Sequence, residues 1–357
     1  MKVLMLAVAT LSFGFAQPLV SQELIYGPTI YLEEPVEGFS RPMGLMRVGD
    51  TYLYYHNREQ GLIMQYTYEG KYVRTFGALG EGPGEYHDPR TVVEVREDVY
   101  IFCLGYVHKF DTQGTYYRSW YVPWVANDVV ALEDDKFLVN IINTANFRMA
   151  ALALHILDLE GNVYKSFDDF TMYSTMRGHG TRLLTQDTKH IYAISSMYDL
   201  TLTQYNTRFG HHTKEVIEAS WYQPYRGTLE AHRPKGPQKP KPHIMGVWAS
   251  QGLLYIFGRS PASSWRQAFL PAIWKSFEGG GEEVYPINPE TSHLLNDFYL
   301  DVIDLESRET LYSIKYDSYE QSGLINHGFQ IHWAEDDLGF WHGQFRTVQL
   351  QLIKDNK

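Results

Sequence analysis

The pattern of apolar and polar positions repeats one unit along the chain: an apolar strand, a tight polar turn, and a second strand rich in aromatic residues. The unit reads MGLMRVGDTYLYYHN at 43–57, TVVEVREDVYIFCLG at 91–105 and DVVALEDDKFLVNI at 128–141. It returns as TRLLTQDTKHIYAISS at 181–196, IMGVWASQGLLYIFG at 244–258 and FQIHWAEDDLGFWHG at 329–343. The turns fall at Gly49-Asp50, Glu97-Asp98, Asp134-Asp135, Gln251-Gly252 and Asp336-Asp337. These residue types tolerate positive φ or bond their own backbone, as hairpin turns require. Alternation is plain where Tyr100, Phe102 and Leu104 interleave with Ile101 and Cys103.

A second hairpin follows most copies, as in YTYEGKYV at 66–73, KFDTQGTYY at 109–117 and ILDLEGNVY at 156–164, with looser versions at 205–215 and 302–312. Each full unit therefore predicts four antiparallel strands. One such unit cannot bury its own faces, so six of them predict an all-β, six-bladed β-propeller. The sixth copy runs out near Lys354 with three strands, and ELIYGPTIYL at 23–32 reads as the missing outer strand. An N-terminal strand closing the last blade removes an open sheet edge. A β-sandwich pair or a β-helix leaves the paired hairpins and the leftover strand at each end unexplained.

Two stretches break the pattern. Residues 232–243, HRPKGPQKPKPH, are too rich in proline for a strand interior and read as a solvated loop. Residues 260–296 interrupt the fifth unit; Trp265, Phe269, Ile273, Trp274 and Phe277 fall near helical spacing around Pro271, which predicts a helical or irregular cap.

Composition agrees with a soluble globular β protein: 44% of the 357 residues are apolar, with 27 Tyr, 18 Phe and 8 Trp. The net charge of −11 disfavours nucleic acid and anionic lipid as general partners. The N-terminus carries Lys2, an apolar run over 3–13, and small residues Gly14 and Ala16 before Gln17. This is the form of a cleaved export signal, 1–16, leaving 17–357 as a single domain. No later stretch is long and apolar enough to span a membrane as a helix. The sequence thus predicts an exported protein, periplasmic or secreted, with no integral membrane segment and a monomeric ring. Cys103 is the single cysteine and sits in a strand-like run, as a small buried hydrophobe.

The stretch FGALGEGPGEYHDPRTVVEV at 76–95 resembles the blade junction of bacterial six-bladed propellers related to NHL-repeat and TolB-like proteins, many of them exported and uncharacterised. Gly77, Gly80, Gly82, Pro83, Gly84, Glu85, Tyr86 and Pro89 carry the resemblance. It implies fold and export and supplies no catalytic set. The glycines are not a phosphate cradle: no G-x(4)-G-K-[ST] is present, no basic residue lies between Phe76 and Tyr86, and a strand follows instead of a helix.

Propeller geometry places ligand sites around one channel mouth. The residues just before inner strands and just after second strands nominate His87, Arg90, His179, Arg182, His243, Arg259 and His327 as the ligand-binding set. Arg90, Arg182 and Arg259 would pair with an anionic or polar ligand. Two or three of His87, His179, His243 and His327 could instead hold a divalent metal that activates water for hydrolysis or lyase chemistry. A third reading has each side chain capping its own strand end. The first expectation is a non-enzymatic binding or scaffold protein that recognises a polar small molecule or a protein through this face, with no catalytic residues and no cofactor assigned; the alternative is the metal-assisted enzyme.

Overall fold

A computed structural model describes residues 20–34, 46–49, 51–57, 61–142, 152–169, 182–195, 200–206, 212–222, 236–237, 239–277, 280–319, 324–335, 337 and 341–354. The strands assemble into six four-stranded antiparallel blades, read outward from the ring axis. Blade 1 comprises Met46–Val48, Leu53–Asn57, Leu62–Tyr66 and Tyr72–Phe76. Blade 2 comprises Thr91–Val95, Asp98–Phe102, Leu104–Asp111 and the first part of the long strand Tyr116–Leu132. That strand pairs with blade 2 as far as Val125, opposite Leu104, and from Val125 onward it also pairs with Lys136–Ile142 as the inner strand of blade 3. Leu152–Asp158 and Val163–Asp169 complete blade 3.

Blade 4 is Arg182–Gln186, His190–Ser195, Thr201–Asn206 and His212–Val216. Blade 5 is His243–Ser250, Leu253–Pro261, Asn296–Asp304 and Thr310–Tyr316. Blade 6 has three strands from the C-terminal end, Leu324–Asn326, Phe329–Glu335 and Trp341–Lys354, and its outer strand is Val20–Tyr26. The N-terminal closure is therefore present, in register from Val20 opposite Lys354 to Tyr26 opposite Val348.

The turns follow from local chemistry. Gln251 and Gly252 both take positive φ, as a two-residue hairpin turn requires. In the second hairpins an aspartate takes the turn amides: Asp111 accepts from the Thr115 N–H at 2.7 Å, Asp158 from Asn162 N–H at 2.8 Å, and Asp304 from Ser307 N–H at 2.7 Å. The Ser307 bond holds the Asp304 carboxyl below the ordinary carboxylate range.

Both faces of each blade are apolar, so the core lies between blades. In the second strand of blade 1, Tyr54 packs toward blade 2 with Phe76, Val99, Ile101 and Phe110. The next residue, Tyr55, packs the other way toward blades 5 and 6, its ring 4.9 Å from Trp333. Further clusters join blade 2 to 3, 3 to 4 and 4 to 5. The segment after the closing strand ties the two ends of the ring. The Leu32 N–H donates to the Gly343 carbonyl in blade 6, and the Glu33 N–H donates to the Gly70 carbonyl in blade 1, each at 2.8 Å.

The glycine-rich junction folds around Tyr86. Its hydroxyl donates to the Phe76 carbonyl at 2.7 Å and accepts from the Ile63 N–H at 3.1 Å. Gly77 has φ of +60°, and a Cβ there would lie 2.3 Å from the Gly84 carbonyl oxygen and 2.7 Å from the Tyr86 ring. The Gly82 N–H is taken by the loop's own Glu85 carboxylate at 2.8 Å, a group that would repel phosphate.

Two expectations need correction. The hairpin in the sixth unit is displaced by one strand: Phe329–Glu335 is the second strand of its blade, and the inner turn is His327-Gly328, both at positive φ. The inner strand ahead of it has only three residues, too short to show a period. Within 260–296, Trp265–Ala268 and Pro289–Leu295 are short 3₁₀ turns, while Ile273–Phe277 pairs with Gly280–Val284 as a hairpin. The helical spacing there is coincidental; Pro271 and the glycines of 279–281 favour a break and a turn. No helix is long and apolar enough to cross a membrane among the described residues.

If the closing strand completes the ring, deleting residues 20–32 abolishes the single cooperative unfolding transition in urea. An unchanged transition followed by tryptophan fluorescence would show that the ring closes without it.

Candidate functional site

The end of the ring where inner strands begin holds most of the nominated residues. Arg90, Arg182 and His243 stand at the starts of the inner strands of blades 2, 4 and 5. Arg259 lies directly opposite His243, toward the end of the second strand of blade 5. His87 is exposed on the junction leading into blade 2. His179 lies outside the described residues. His327 is at the opposite end, in the inner turn of blade 6, so it does not belong to this mouth.

Local partners divide these residues. Arg182 is buried and its guanidinium meets Asp168 of blade 3 at 3.1 Å, with the Tyr205 hydroxyl donating to the same carboxylate oxygen at 3.1 Å. The Arg182 backbone is also held: its N–H donates to Asn140 Oδ1 and its carbonyl accepts from Asn127 Nδ2, each at 3.0 Å. The neighbouring Leu184 N–H donates to Asp128 Oδ2 at 2.8 Å. Arg182 is therefore a blade-to-blade tie, and stripping one partner from such a buried pair typically costs about 3–5 kcal/mol. Arg90 pairs with Asp88, two residues away.

Arg259 differs in its charge balance: among the described residues no carboxylate pairs with it. Its Nε–H is buried without an acceptor, as is that of Arg90, whose guanidinium nonetheless has Asp88. Burial pulls its pKa down from the usual guanidinium value, with no compensating charge. The nearest acid in register, Asp297, stands opposite Ser260 on the other face and is engaged by Lys315 at 3.2 Å. The Asn296 side-chain oxygen, on the same face as Arg259 by strand alternation, is also buried without a donor. Phe298 stands opposite Arg259, its ring 5.6 Å from Tyr319. Sequence reasoning missed Asn296 and Phe298 because the insert hides their pairing with 259–261.

A cavity of about 470 Å³ lies at the other end of the inner strands. Val93, Val130, Thr185 and Ala249 line it from blades 2 to 5, and His327 from blade 6. Its carboxylate, Glu94, is held by the Tyr54 hydroxyl at 2.7 Å and the Thr51 N–H at 3.1 Å.

Nothing among the described residues gathers three His, Cys, Asp or Glu side chains close enough to hold a metal. Cys103 is buried, and burial pushes its thiol well above the ordinary range. His108 and His155 are buried away from the mouth, the former 5.5 Å from the Tyr86 ring. Burial lowers the His108 pKa to about 4.

Residues 43–220 match the family model of DUF5128, described as a 6-bladed beta-propeller. Similar solved structures include a Bacteroides fragilis protein named as exported, at 12% identity and a TM-score of 0.61, covering 92% of this chain and 95% of that one. A member of the DUF4221 family from Bacteroides vulgatus matches at 11% identity and a TM-score of 0.60, covering 93% and 99%. At these identities the likeness carries fold alone. No curated protein sequence matches the chain.

The buried neutral histidine sets a pH dependence. Between about pH 6.5 and 4 the unfolded chain binds the proton that folded His108 refuses, so stability falls as pH falls through that window. Urea unfolding at pH 7 and 4.5 should show a His108→Phe variant losing about 2 kcal/mol less than wild type. Equal losses would mean that His108 is protonated in the fold.

With six four-stranded blades, an N-terminal closing strand and the family match in agreement, the resemblance first read from the glycine-rich junction holds for the fold, and the chain is a six-bladed β-propeller.

Proposed function

We propose that this protein is an exported, non-enzymatic recognition module that binds a polar or anionic ligand, small molecule or protein, at the end of the ring where the inner strands begin. The observation that carries the reading is the gathering of Arg90, His243 and Arg259 at that end of an acidic protein, beside the Arg182 tie. A rigid ring with such a mouth presents fixed donors to an incoming acceptor at little cost in reorganisation. The propeller fold is compatible with many activities, so function is decided by the residues of the site. Export is supported by the apolar run over 3–13 followed by Gly14 and Ala16. The name of the Bacteroides fragilis relative points the same way.

Thermal-shift titrations at low ionic strength with citrate, sulfate and a poly-glutamate peptide test the binding role. At least one should raise the Tm by several degrees, and the rise should vanish in an Arg90→Ala, Arg259→Ala double variant. No rise with any of the three would overturn it. A stoichiometric divalent ion in purified protein, lost on replacing His179 and His243, would establish the metal-assisted enzyme instead. Mass spectrometry of protein recovered from the exporting cell should find a mature start at Gln17; an intact Met1 would overturn export by signal cleavage.

A further inference from the structure

Resting on that reading of the mouth, we infer that the Arg259 position in blade 5 binds a carboxylate flanked by an N–H or O–H donor, as at the C-terminus of a peptide or in an acylated amino acid. Two unmet groups define the chemistry. The Nε–H of Arg259 is a buried donor without an acceptor, and Asn296 Oδ1 is a buried acceptor without a donor. Register places them on one face of adjacent strands, one step apart, since Arg259 stands opposite Phe298 and Pro261 opposite Asn296. They do not bond each other. A ligand that meets both must offer an acceptor to the guanidinium and a donor to the amide oxygen of its diagonal neighbour on the same face. A carboxylate with a neighbouring N–H does this; sulfate offers acceptors alone.

The surroundings add two features. His243 lies across from Arg259 on the inner strand and is exposed, so the position opens to solvent. Phe298 is packed against Tyr319, a residue 42% exposed, which supplies an apolar wall for a side chain beside the carboxylate. A guanidinium held without a counter-charge destabilises the fold, because desolvation is not offset by pairing. Arg90 and Arg182, at the same end, both have their aspartates. Arg259 lacks one at a position that a ligand can reach.

The test uses N-acetylphenylalanine, its carboxamide counterpart, and an acetylated tetrapeptide ending in phenylalanine, titrated calorimetrically into the full chain. The acid should bind, and both the Arg259→Gln variant and the carboxamide should weaken binding tenfold or more. Without ligand, Arg259→Gln should melt at the wild-type temperature or above, since it removes a half-buried charge that has no counter-ion. Should that variant fail to fold, Arg259→Lys, which keeps the charge and loses the fork of donors, should still weaken the acid at least fivefold. Tighter binding of the tetrapeptide identifies a peptide C-terminus as the source, whereas equal binding identifies the acylated amino acid. Equal affinity for acid and carboxamide, equal affinity in Arg259→Gln, or no binding of any probe overturns the inference. If citrate, sulfate or the poly-glutamate peptide still stabilises the wild type in that event, the broader reading of the mouth survives; if none of them does, both fail.

Discussion

The structure depends on the fact that a blade has two apolar faces and no means of covering either by itself. Tyr54 and Tyr55 are adjacent in one strand, both almost fully buried, and point to different neighbours. Burying a side chain of that size is worth about 1.5–3 kcal/mol, and every blade carries several. Each blade therefore needs a partner on both sides, and only a closed ring gives every blade two. Closure is a condition of stability here, and the chain meets it by lending its N-terminal strand to the last blade. The following residues then bond to blade 6 through Gly343 and to blade 1 through Gly70, so the seam is covered by backbone pairing as well as by the apolar contact between Tyr55 and Trp333.

The ring also constrains where polar groups can go. Inner strands have one edge without a strand partner, and their amides need acceptors. Blade 3 supplies some of them to blade 4: Asp128 receives the Leu184 N–H and Asn140 the Arg182 N–H. Thr185 of blade 4 receives the Ala249 N–H of blade 5 at 3.0 Å. These polar residues sit near the axis, where a reader seeking a ligand site would look, yet they work as joints between blades. Subtracting them leaves a much shorter set that can face a ligand, and Arg259 is its half-buried cation without a counter-ion among the described residues.

That subtraction explains what was legible in the sequence. Blade units could be read because period-two alternation and turn chemistry are local: Asp158 with Gly161, or Gln251 with Gly252, act within a few residues. The closing strand was legible by counting, since three strands near Lys354 required a fourth. His327 was misplaced because a three-residue inner strand shows no period and Asp336-Asp337 imitates the inner turn. Ile273 and Trp274 imitated a helix because a short hairpin and a short amphipathic helix share apolar spacings. The site was legible only as a set of strand ends. That Arg182 is neutralised by Asp168 on the preceding blade, and Arg259 by nothing comparable, is a relation between blades that no local pattern contains.

The contrast between those two arginines is the strongest physical argument about function. The chain is rich in acids and uses them freely at this end: Asp168 on Arg182, Asp88 on Arg90, and Asp297 on Lys315 in the same blade as Arg259. A carboxylate for Arg259 was therefore within the reach of ordinary substitution, on the same strands that already carry Asp297 one register step away. A neutral residue at 259 would also have removed the desolvation cost. A position that incurs such a cost beside easy remedies is what a binding site looks like before its ligand arrives, because the unmet donor is the source of affinity and the strain it imposes is relieved on binding.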